Sequence, residues 1–421
     1  GWSGEGVPHI MERLKQLRMN TVDGLRIRFR PGDTELVEAF EYGYHFGSLL
    51  QDKKAEKTTK GSRKLVKCLV CGEIFDSSLE VCPVCGVGRE NFVPVEEKET
   101  TYRKDGDEFY VILGNGTAGL NAAKAVRERD KTSSILMISE EKYPTYNRPM
   151  LTKALNAGLE ISQIQVEPES WYEENQVYQI LGKKIISVDK TEKEVTLEDG
   201  MRLKYTKLIY ALGAKSFVPP IPGSEKEQVA VIRTLEDAEK IGQMIPKNGQ
   251  TVVIGGGVLG LEAAWELKKA APVLMGRQLD EGAAAMLGSI AESVGIKVRT
   301  GVKIDRIEGQ ERVTAVRLAD GEEIAANLVL ISCGVRANTE LAELKVNRAV
   351  AVNEKMQTSE KDIYACGDCV EFEGENAALW AEASEQGKVA GANAAGECVE
   401  YQKVQMPLSF NGMNTSLYAI G

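Results

Sequence analysis

The chain has 421 residues, of which 43% are hydrophobic, and its formal net charge is −10 at pH 7. This length allows two to four domains. The negative net charge disfavours nucleic acid as a partner. No apolar run reaches the ~18 residues of a membrane span. Eight cysteines, four of them at metal-ligand spacing, favour a reducing cytoplasm over a secreted disulfide framework. Both histidines precede residue 46, so the later segments have no imidazole for acid–base chemistry or metal binding.

Residues 1–51 have the pattern of part of an α/β domain. Two helical segments, Pro8–Met19 and Thr34–Leu50, flank a short strand at Leu25–Phe29. This segment is too short to bury a core by itself. It begins without a methionine, and we therefore expect a fragment of a longer chain. A polar, lysine-rich linker follows at residues 52–64.

This first segment resembles the last βαβα portion of the flavodoxin-like domain in flavodiiron proteins. The resemblance rests on Gly1-Trp2-Ser3-Gly4-Glu5 before a helix and on Gly24-Leu25-Arg26-Ile27. In that family the glycine-aromatic loop covers an FMN ring. The resemblance implies that Trp2 is a flavin neighbour, that FMN binds only if the domain is complete, and that a flavodiiron domain is a partner. An N-terminal helical extension without a ligand is the alternative.

Two cysteine motifs in residues 65–98 predict a metal site. Cys68-Leu-Val-Cys71-Gly and Cys82-Pro-Val-Cys85-Gly can place four thiolates around one tetrahedral ion. The spacing does not choose between iron and zinc, because both metals accept four thiolates. A charged linker follows at residues 99–107.

The residues around these motifs resemble a rubredoxin of the short type found in rubrerythrins. The resemblance is carried by two phenylalanines, two glycines and a proline, namely Gly72, Phe75, Pro83, Gly86 and Phe92. It implies four-thiolate iron and a one-electron centre. A structural zinc ribbon remains the alternative.

Residues 108–222 open with a dinucleotide-binding fingerprint. An apolar strand, Tyr110–Leu113, leads into a glycine turn and a helix. The residues of the turn are Gly114, Gly116, Thr117, Ala118 and Gly119. The first glycine allows the tight turn, the second brings the backbone close to a pyrophosphate, and the third lets the helix pack on the strand. A second apolar strand ends at Glu140, which is placed for a ribose hydroxyl. We therefore predict that a flavin binds here.

The next segments resemble the pyridine-nucleotide:flavin oxidoreductase family, nearest to NADH:rubredoxin oxidoreductases. The resemblance starts at Tyr146-Asn-Arg148-Pro149, followed by Lys153, and continues in Leu208-Ile-Tyr-Ala211-Leu-Gly213. It implies that Arg148 and Pro149 run under the FAD pyrophosphate and that Lys153 is a catalytic residue near the flavin ring. Ala211 and Gly213 belong to the strand that leaves the flavin lobe.

A second fingerprint, with Gly255, Gly257 and Gly260, lies in residues 223–340. In the family this unit binds NAD(P)H, and the resemblance implies NADH, with Glu262 as a catalytic residue near the nicotinamide. Helical sequence continues into Ala270-Ala-Pro272, where a full strand is expected. We therefore expect a contraction near residue 270. The choice between NAD and NADP stays open, because the acid that makes it should end that strand.

The flavin lobe resumes in residues 341–400. Cofactor-binding residues implied by the resemblance are Gly334, just before this segment, and Gly367, Asp368 and Gln386 within it. Trp380 also fits the family's contact with the isoalloxazine, with a core aromatic as the alternative. Cys366 and Cys369 are interpreted as small buried residues. Residues 401–421 begin a further domain, which in relatives supports the dimer, so a homo-oligomer stays open.

Together these patterns predict an α/β protein with two Rossmann-type, three-layer lobes for FAD and NAD(P), a four-cysteine rubredoxin-like module and a partial flavodoxin-like segment. Residues 108–332 contain no cysteine, which argues against disulfide chemistry at the flavin. The expected function is FAD-dependent NADH:rubredoxin oxidoreduction, within a flavodiiron system that reduces oxygen or nitric oxide. The alternatives are a flavin NADH oxidase with a structural zinc ribbon, and an inactive flavin- and metal-binding fragment.

Overall fold

The structure, a computed structural model, describes residues 65–69, 74–82, 87–95, 106–157, 160–245, 249–267, 281–341, 343–403, 408–413 and 415–419. The predictions for residues 1–51 and the linker 52–64, and therefore for Trp2, lie outside the described residues, as do Cys71 and Cys85. None of the helices in the described ranges is long and apolar enough to cross a membrane.

Helices and strands alternate along most of the described chain. The α-helices are α1 (Thr117–Arg129), α2 (Leu151–Ala157), α3 (Ile161–Ile164), α4 (Glu169–Glu174), α5 (Leu235–Met244), α6 (Val258–Leu267), α7 (Glu281–Ser293) and α8 (Trp380–Ala394). The strands are β1 (Leu65–Cys68), β2 (Ile74–Asp76), β3 (Phe92–Val95), β4 (Phe109–Leu113), β5 (Ser134–Ser139), β6 (Val177–Leu181), β7 (Ile185–Asp189), β8 (Glu194–Leu197), β9 (Arg202–Lys204), β10 (Lys207–Tyr210), β11 (Ala214–Ser216), β12 (Val229–Ala230), β13 (Thr251–Ile254), β14 (Ile304–Glu308), β15 (Ala315–Leu318), β16 (Glu323–Ala325), β17 (Leu328–Ile331), β18 (Val335–Ala337), β19 (Val350–Val352), β20 (Ile363–Ala365), β21 (Val370–Phe372), β22 (Leu408–Gly412) and β23 (Thr415–Ala419).

The first unit, here called the cysteine module, consists of the described residues between 65 and 95. Its three strands form an antiparallel sheet in the order β2-β1-β3, with Cys68 opposite Phe92. Cys68 and Cys82 are both buried. The module therefore places one cysteine from each predicted motif in its interior.

The first lobe is built on a five-stranded parallel sheet in the order β20-β10-β4-β5-β6. Side chains of β4 alternate between two cores, as the two-residue period of a strand requires. Tyr110 and Ile112 pack with residues of α1 and α8, while Val111 and Leu113 pack with the antiparallel sheet β7-β8-β9. The lobe is thus a three-layer structure of helices, parallel sheet and antiparallel sheet.

The second lobe repeats this plan on a smaller sheet. Its parallel strands have the order β12-β17-β13. Val253 faces residues of α5, α6 and α7, while Val252 and Ile254 face the antiparallel strands β14 to β16. The predicted pair of Rossmann-type, three-layer lobes is therefore confirmed.

The two lobes differ at the strand that precedes each glycine turn. In the first lobe β4 lies between β10 and β5, whereas β13 pairs with β17 and has no described strand on its other side. The strand expected there falls in residues 268–280, outside the described ranges. The contraction near residue 270 therefore stays a prediction.

The junction of the lobes is formed by short elements of both. Leu155 of α2 shares a core with Leu261 of α6 and Ile241 of α5. Phe410 of β22 is buried in the same core, against which Trp265 of α6 packs. This packing holds the start of α6, and the residues around it, against the first lobe.

Candidate active site

The first glycine turn leaves space above the start of α1. Gly114 has φ +103°, and a Cβ on it would overlap the carbonyl oxygen of Ala211. A Cβ on Gly119 would overlap the carbonyl oxygen of Gly114, whereas one on Gly116 would meet nothing within 4 Å. Because Gly116 is the N-cap of α1 and no side chain caps it within the described structure, the first-turn N–H groups can bind an anion. The turn fits a dinucleotide pyrophosphate.

The second glycine turn has the same geometry. Gly255 has φ +121°, and a Cβ there would overlap the carbonyl oxygen of Ser332. A Cβ on Gly260 would overlap the carbonyl oxygen of Gly255, and one on Gly257 would meet nothing within 4 Å. In both turns the first and third glycines allow the backbone to pack closely. The middle glycine leaves room for a ligand. This turn fits a second dinucleotide.

The first turns of α8 lie against the first glycine turn. The hydroxyls of Thr117 and Ser384 share a hydrogen bond of 2.7 Å, and Gln386 Oε1 accepts from the backbone N–H of Gly367 at 2.9 Å. A Cβ on Gly387 would overlap the carbonyl oxygen of Ala118. Thr117, Ala118, Gly367 and Gln386, which are far apart in sequence, thus meet at one place. Their contact with FAD remains a prediction.

The arginine segment after β5 is held by an acid next to the one predicted. Glu140 is exposed, whereas Glu141 accepts from Arg148 Nη2 at 2.6 Å and from the Tyr146 hydroxyl at 2.5 Å. Burial by itself would lower the pKa of the Arg148 guanidinium. The neighbouring Glu141 carboxylate more than offsets this effect, so the pKa is raised. Pro149 follows in a short 3-10 turn. Glu141 therefore holds the arginine segment, while the ribose contact of Glu140 stays a prediction.

Replacing each of these two acids tests their separate parts in the site. We expect Glu141→Gln to weaken FAD binding about tenfold, because a hydrogen bond to a charged group contributes about 1.5–3 kcal/mol. Glu140→Gln should weaken it by a similar factor, because its carboxylate is predicted to accept from a ribose hydroxyl. The exposed Glu173, changed to Gln, is the control and should change the affinity less than about twofold, since surface charges contribute little. Fluorescence titration of the apoprotein with FAD measures all three, and an unchanged affinity in the Glu140 variant would contradict its predicted role.

Sequence reasoning missed Arg233, which lies just before α5. Its Nη2 donates to Asp368 Oδ2 at 2.7 Å, and its backbone carbonyl accepts from Arg148. The same Nη2 would be 3.6 Å from a Cβ on Gly213. The sequence signal that could have pointed to Arg233 is the capping box that begins at Thr234. This capping box fixes the backbone next to the arginine. Arg233 links Asp368, Gly213 and the arginine segment into one site.

Lys153 and Glu262, the two predicted catalytic residues, approach each other where α2 meets α6. Thr152 Oγ1 donates to Glu262 Oε2 at 2.9 Å. Burial raises the pKa of Glu262 to about 7, although the Thr152 hydrogen bond and the charge of Lys153 oppose that rise. The junction thus holds a carboxyl group that carries a proton for much of its time near neutral pH.

This raised pKa predicts a pH-dependent stability. Between the ordinary value of 4.5 and about 7, the folded state binds more protons than the unfolded state, so stability falls as pH rises through this window. We expect Glu262→Gln to remove this fall, which corresponds to at most about 3 kcal/mol. Thermal midpoints of the apoprotein from pH 5 to 8 measure it. The exposed Glu173, changed to Gln, is the control, and an unchanged slope in the Glu262 variant would contradict the prediction.

Cys366 and Cys369 are buried, as predicted. Cys366 packs in the core on the helix side of the first-lobe sheet, while Cys369 packs in the core on the other side. The Cys369 thiol donates to the Cys366 carbonyl at 3.2 Å. Two thiols directed into different cores do not form a metal-binding pair.

The predicted metal site is described in part. Cys68 and Cys82, one from each motif, share a buried cluster with Val87. Two of the four predicted ligands lie outside the described residues, and no group of three or more metal-binding side chains occurs within the described ranges. The four-thiolate site therefore stays a prediction.

Comparison with known proteins agrees with this arrangement. The sequence model of the family described as pyridine nucleotide-disulphide oxidoreductase matches residues 109–387. The NADH-rubredoxin oxidoreductase of Clostridium acetobutylicum is 34% identical over 306 residues, covering 70% of this chain and 76% of the relative. A nitrite reductase [NAD(P)H] of Bacillus subtilis is 36% identical over 298 residues, and the match covers 68% of this chain but only 37% of that longer protein.

The structural comparison leads to the same group. The crystal structure of NADH:rubredoxin oxidoreductase from Clostridium acetobutylicum superposes with a TM-score of 0.63 at 32% identity, covering 72% of this chain and 79% of that chain. The chain belongs to the pyridine nucleotide-disulphide oxidoreductase family, and its homologues are NAD(P)H-dependent flavoprotein oxidoreductases of the rubredoxin reductase type.

Proposed function

We propose that this chain passes electrons from NADH, through FAD in the first lobe, to iron held by Cys68, Cys71, Cys82 and Cys85. FAD accepts electrons in pairs from a nicotinamide and releases them singly, which suits a four-thiolate iron centre. The electrons would then continue to FMN and a flavodiiron domain that reduces oxygen or nitric oxide. The observation that carries the proposal is the pair of glycine turns, each with an open middle glycine, in a chain that also buries the two described thiols.

The predicted residues divide between the two pyrophosphates and the flavin. Gly116 and Gly257 leave room for the two pyrophosphates. Arg148, which Glu141 holds, would lie under the FAD pyrophosphate, and Glu140 would accept from the ribose. Asp368 would accept from the ribityl hydroxyls. Further contacts with the flavin side are assigned to Ala211, Gly213, Gly334 and Gln386.

The lobe junction orients the two reacting rings. Lys153 would lie near the flavin and Glu262 near the nicotinamide, and the two side chains interact where α2 meets α6. Neither residue needs to transfer a proton to the carbon that gives up the hydride. They would position the rings and set the charge beside them, and the apolar packing of α2 on α6 would keep water from the junction. The absence of cysteine from residues 108–332 leaves this junction without a thiol acceptor.

Metal and flavin content of the purified protein test the proposal. We expect one iron, one FAD and no zinc for each chain, with NADH as the preferred nicotinamide over NADPH. One zinc without iron would contradict the electron path. That outcome would favour the second candidate, a flavin NADH oxidase in which the four cysteines form a structural zinc ribbon, because four thiolates accept zinc equally well. Oxygen consumption with NADH would then measure its activity.

A further inference from the structure

The cysteine module contacts the first lobe at the beginning of α8. The buried cluster of Cys68, Cys82 and Val87 is covered by Val66 and Phe92 of the module and by Trp380, the first residue of α8. Trp380 therefore carries the contact of the lobe with the cluster that contains the two described cysteines. Its Nε1 is buried and has no hydrogen-bond partner within the described residues.

A charged contact lies beside this apolar one. Lys67, the neighbour of Cys68, places its Nζ 3.0 Å from Glu385 Oε1. Lys388, one turn further along α8, is also 3.0 Å from that oxygen. The side chains of Lys67 and Glu385 are only 28% and 24% exposed, so this pair is screened less than an open surface pair. The apolar and charged contacts together fix the position and orientation of the module on α8.

The same helix continues directly into the flavin site. Ser384, which shares a hydrogen bond with Thr117 of the glycine turn, is one helical turn beyond Trp380, or about 6 Å along the axis. Gln386, which accepts from Gly367, follows two residues later. The first two turns of α8 therefore carry both kinds of residue. Trp380 contacts the cysteine cluster, and Ser384 and Gln386 belong to the flavin site.

We propose that the first two turns of α8 are an intramolecular docking surface for electron transfer, whose occupant is the cysteine module of the same chain. Trp380 is the contact between the cysteine cluster and the flavin site, and the Lys67–Glu385 pair fixes the orientation of the module. The inference rests on the proposed function for its chemistry. Each transfer moves one electron from NADH-reduced FAD to ferric iron, which becomes ferrous. One NADH supplies two electrons and leaves as NAD⁺ with one proton released to solvent. The second transfer follows once a one-electron acceptor, FMN in the proposed function, has reoxidised the iron.

Carbodiimide cross-linking tests the docking without reference to activity. This reagent joins a lysine to a carboxylate that it touches, so we expect an amide between Lys67 and Glu385, identified by mass spectrometry. An amide between Glu385 and Lys388 is the internal reference, because both residues belong to α8. Lys67→Arg is the matched control, since it keeps the charge but cannot form the amide. Formation of the reference amide without the Lys67–Glu385 amide would overturn the inference.

The same cross-link distinguishes docking within a chain from docking between chains. Protein labelled with ¹⁵N is mixed with unlabelled protein before the reagent is added. We expect the two linked peptides to carry the same isotope. A mixed-isotope product would assign the surface to the module of a second copy and overturn the intramolecular reading.

Charge reversal tests the effect on electron transfer. We expect Lys67→Glu to slow bleaching of the ferric–thiolate band by NADH about fivefold at low ionic strength, with the rate of flavin bleaching unchanged within about twofold. The double exchange Lys67→Glu with Glu385→Lys should recover most of the rate. Lys183→Glu, which breaks an exposed pair with Asp199 elsewhere in the first lobe, is the matched control.

If the wild type bleaches both bands and Lys67→Glu does so at the same rate, the docking inference fails while the proposed function stands. If NADH bleaches only the flavin band of the wild type, the proposed function itself fails.

Discussion

Replacing Gly116 with valine should abolish FAD binding while the first lobe keeps its fold. A Cβ at this position meets nothing within 4 Å, so the new side chain enters open space at the start of α1, where the pyrophosphate is expected. Because a pyrophosphate needs close approach to the backbone N–H groups there, we expect the affinity for FAD to fall at least about a hundredfold. Flavin absorbance per chain after desalting measures the loss, and circular dichroism with a thermal scan checks the fold.

Gly257→Val is the matched control for this variant. Its Cβ also meets nothing within 4 Å, but it stands at the second glycine turn. This variant should retain FAD and lose affinity for NADH by a similar factor, seen as a rise in the NADH concentration needed for half-maximal flavin bleaching. Retention of FAD by Gly116→Val, or loss of FAD from Gly257→Val, would show that the two turns do not divide the cofactors as proposed.

Replacing Cys68 with serine should remove the iron and leave the flavin. Cys68 is fully buried beside Cys82, and loss of one thiolate of four disrupts a tetrahedral site. We expect the ferric–thiolate band to disappear, iron content to fall at least about tenfold, and NADH to bleach the flavin band as before. Metal analysis and visible spectra measure both effects.

Cys366→Ser serves as the control for this change. Cys366 is equally buried but packs in the core of the first lobe, with Cys369 directed into the opposite core. It should keep its iron, even if its thermal midpoint falls because a buried hydroxyl replaces a thiol. Iron loss from both variants would indicate general unfolding, and iron retention in Cys68→Ser would exclude that residue as a ligand.

The parts of the fold that were predictable from sequence are those set by local patterns. Both faces of Tyr110–Leu113 are apolar, as in a parallel strand covered on both sides, and the structure buries all four residues. The glycines of the two turns were predictable for a similar reason. A Cβ on Gly119 or Gly260 would overlap a carbonyl of its own turn, which is a local constraint, whereas one on Gly114 or Gly255 would meet a carbonyl that follows a neighbouring strand of the sheet.

The rest of the site depends on packing that a sequence does not display. Glu140 and Glu141 are adjacent, and only the end of β5 decides which of them faces Arg148. Arg233 reaches Asp368 across 135 positions of the chain. The packing of Trp380 on the cluster that contains Cys68 brings two separate units together. Each of these depends on how distant elements meet, for which neither spacing nor periodicity provides a signal.

An anaerobic visible titration of the purified protein with NADH tests the central claim most directly. We expect NADH to bleach both the flavin band and the ferric–thiolate band, with electrons reaching iron through the flavin and about 1.5 equivalents needed for completion, because FAD takes two electrons and iron takes one. If both bands are present and neither responds until dithionite is added, the cofactors bind but the path from the nicotinamide is broken. That result would contradict the account.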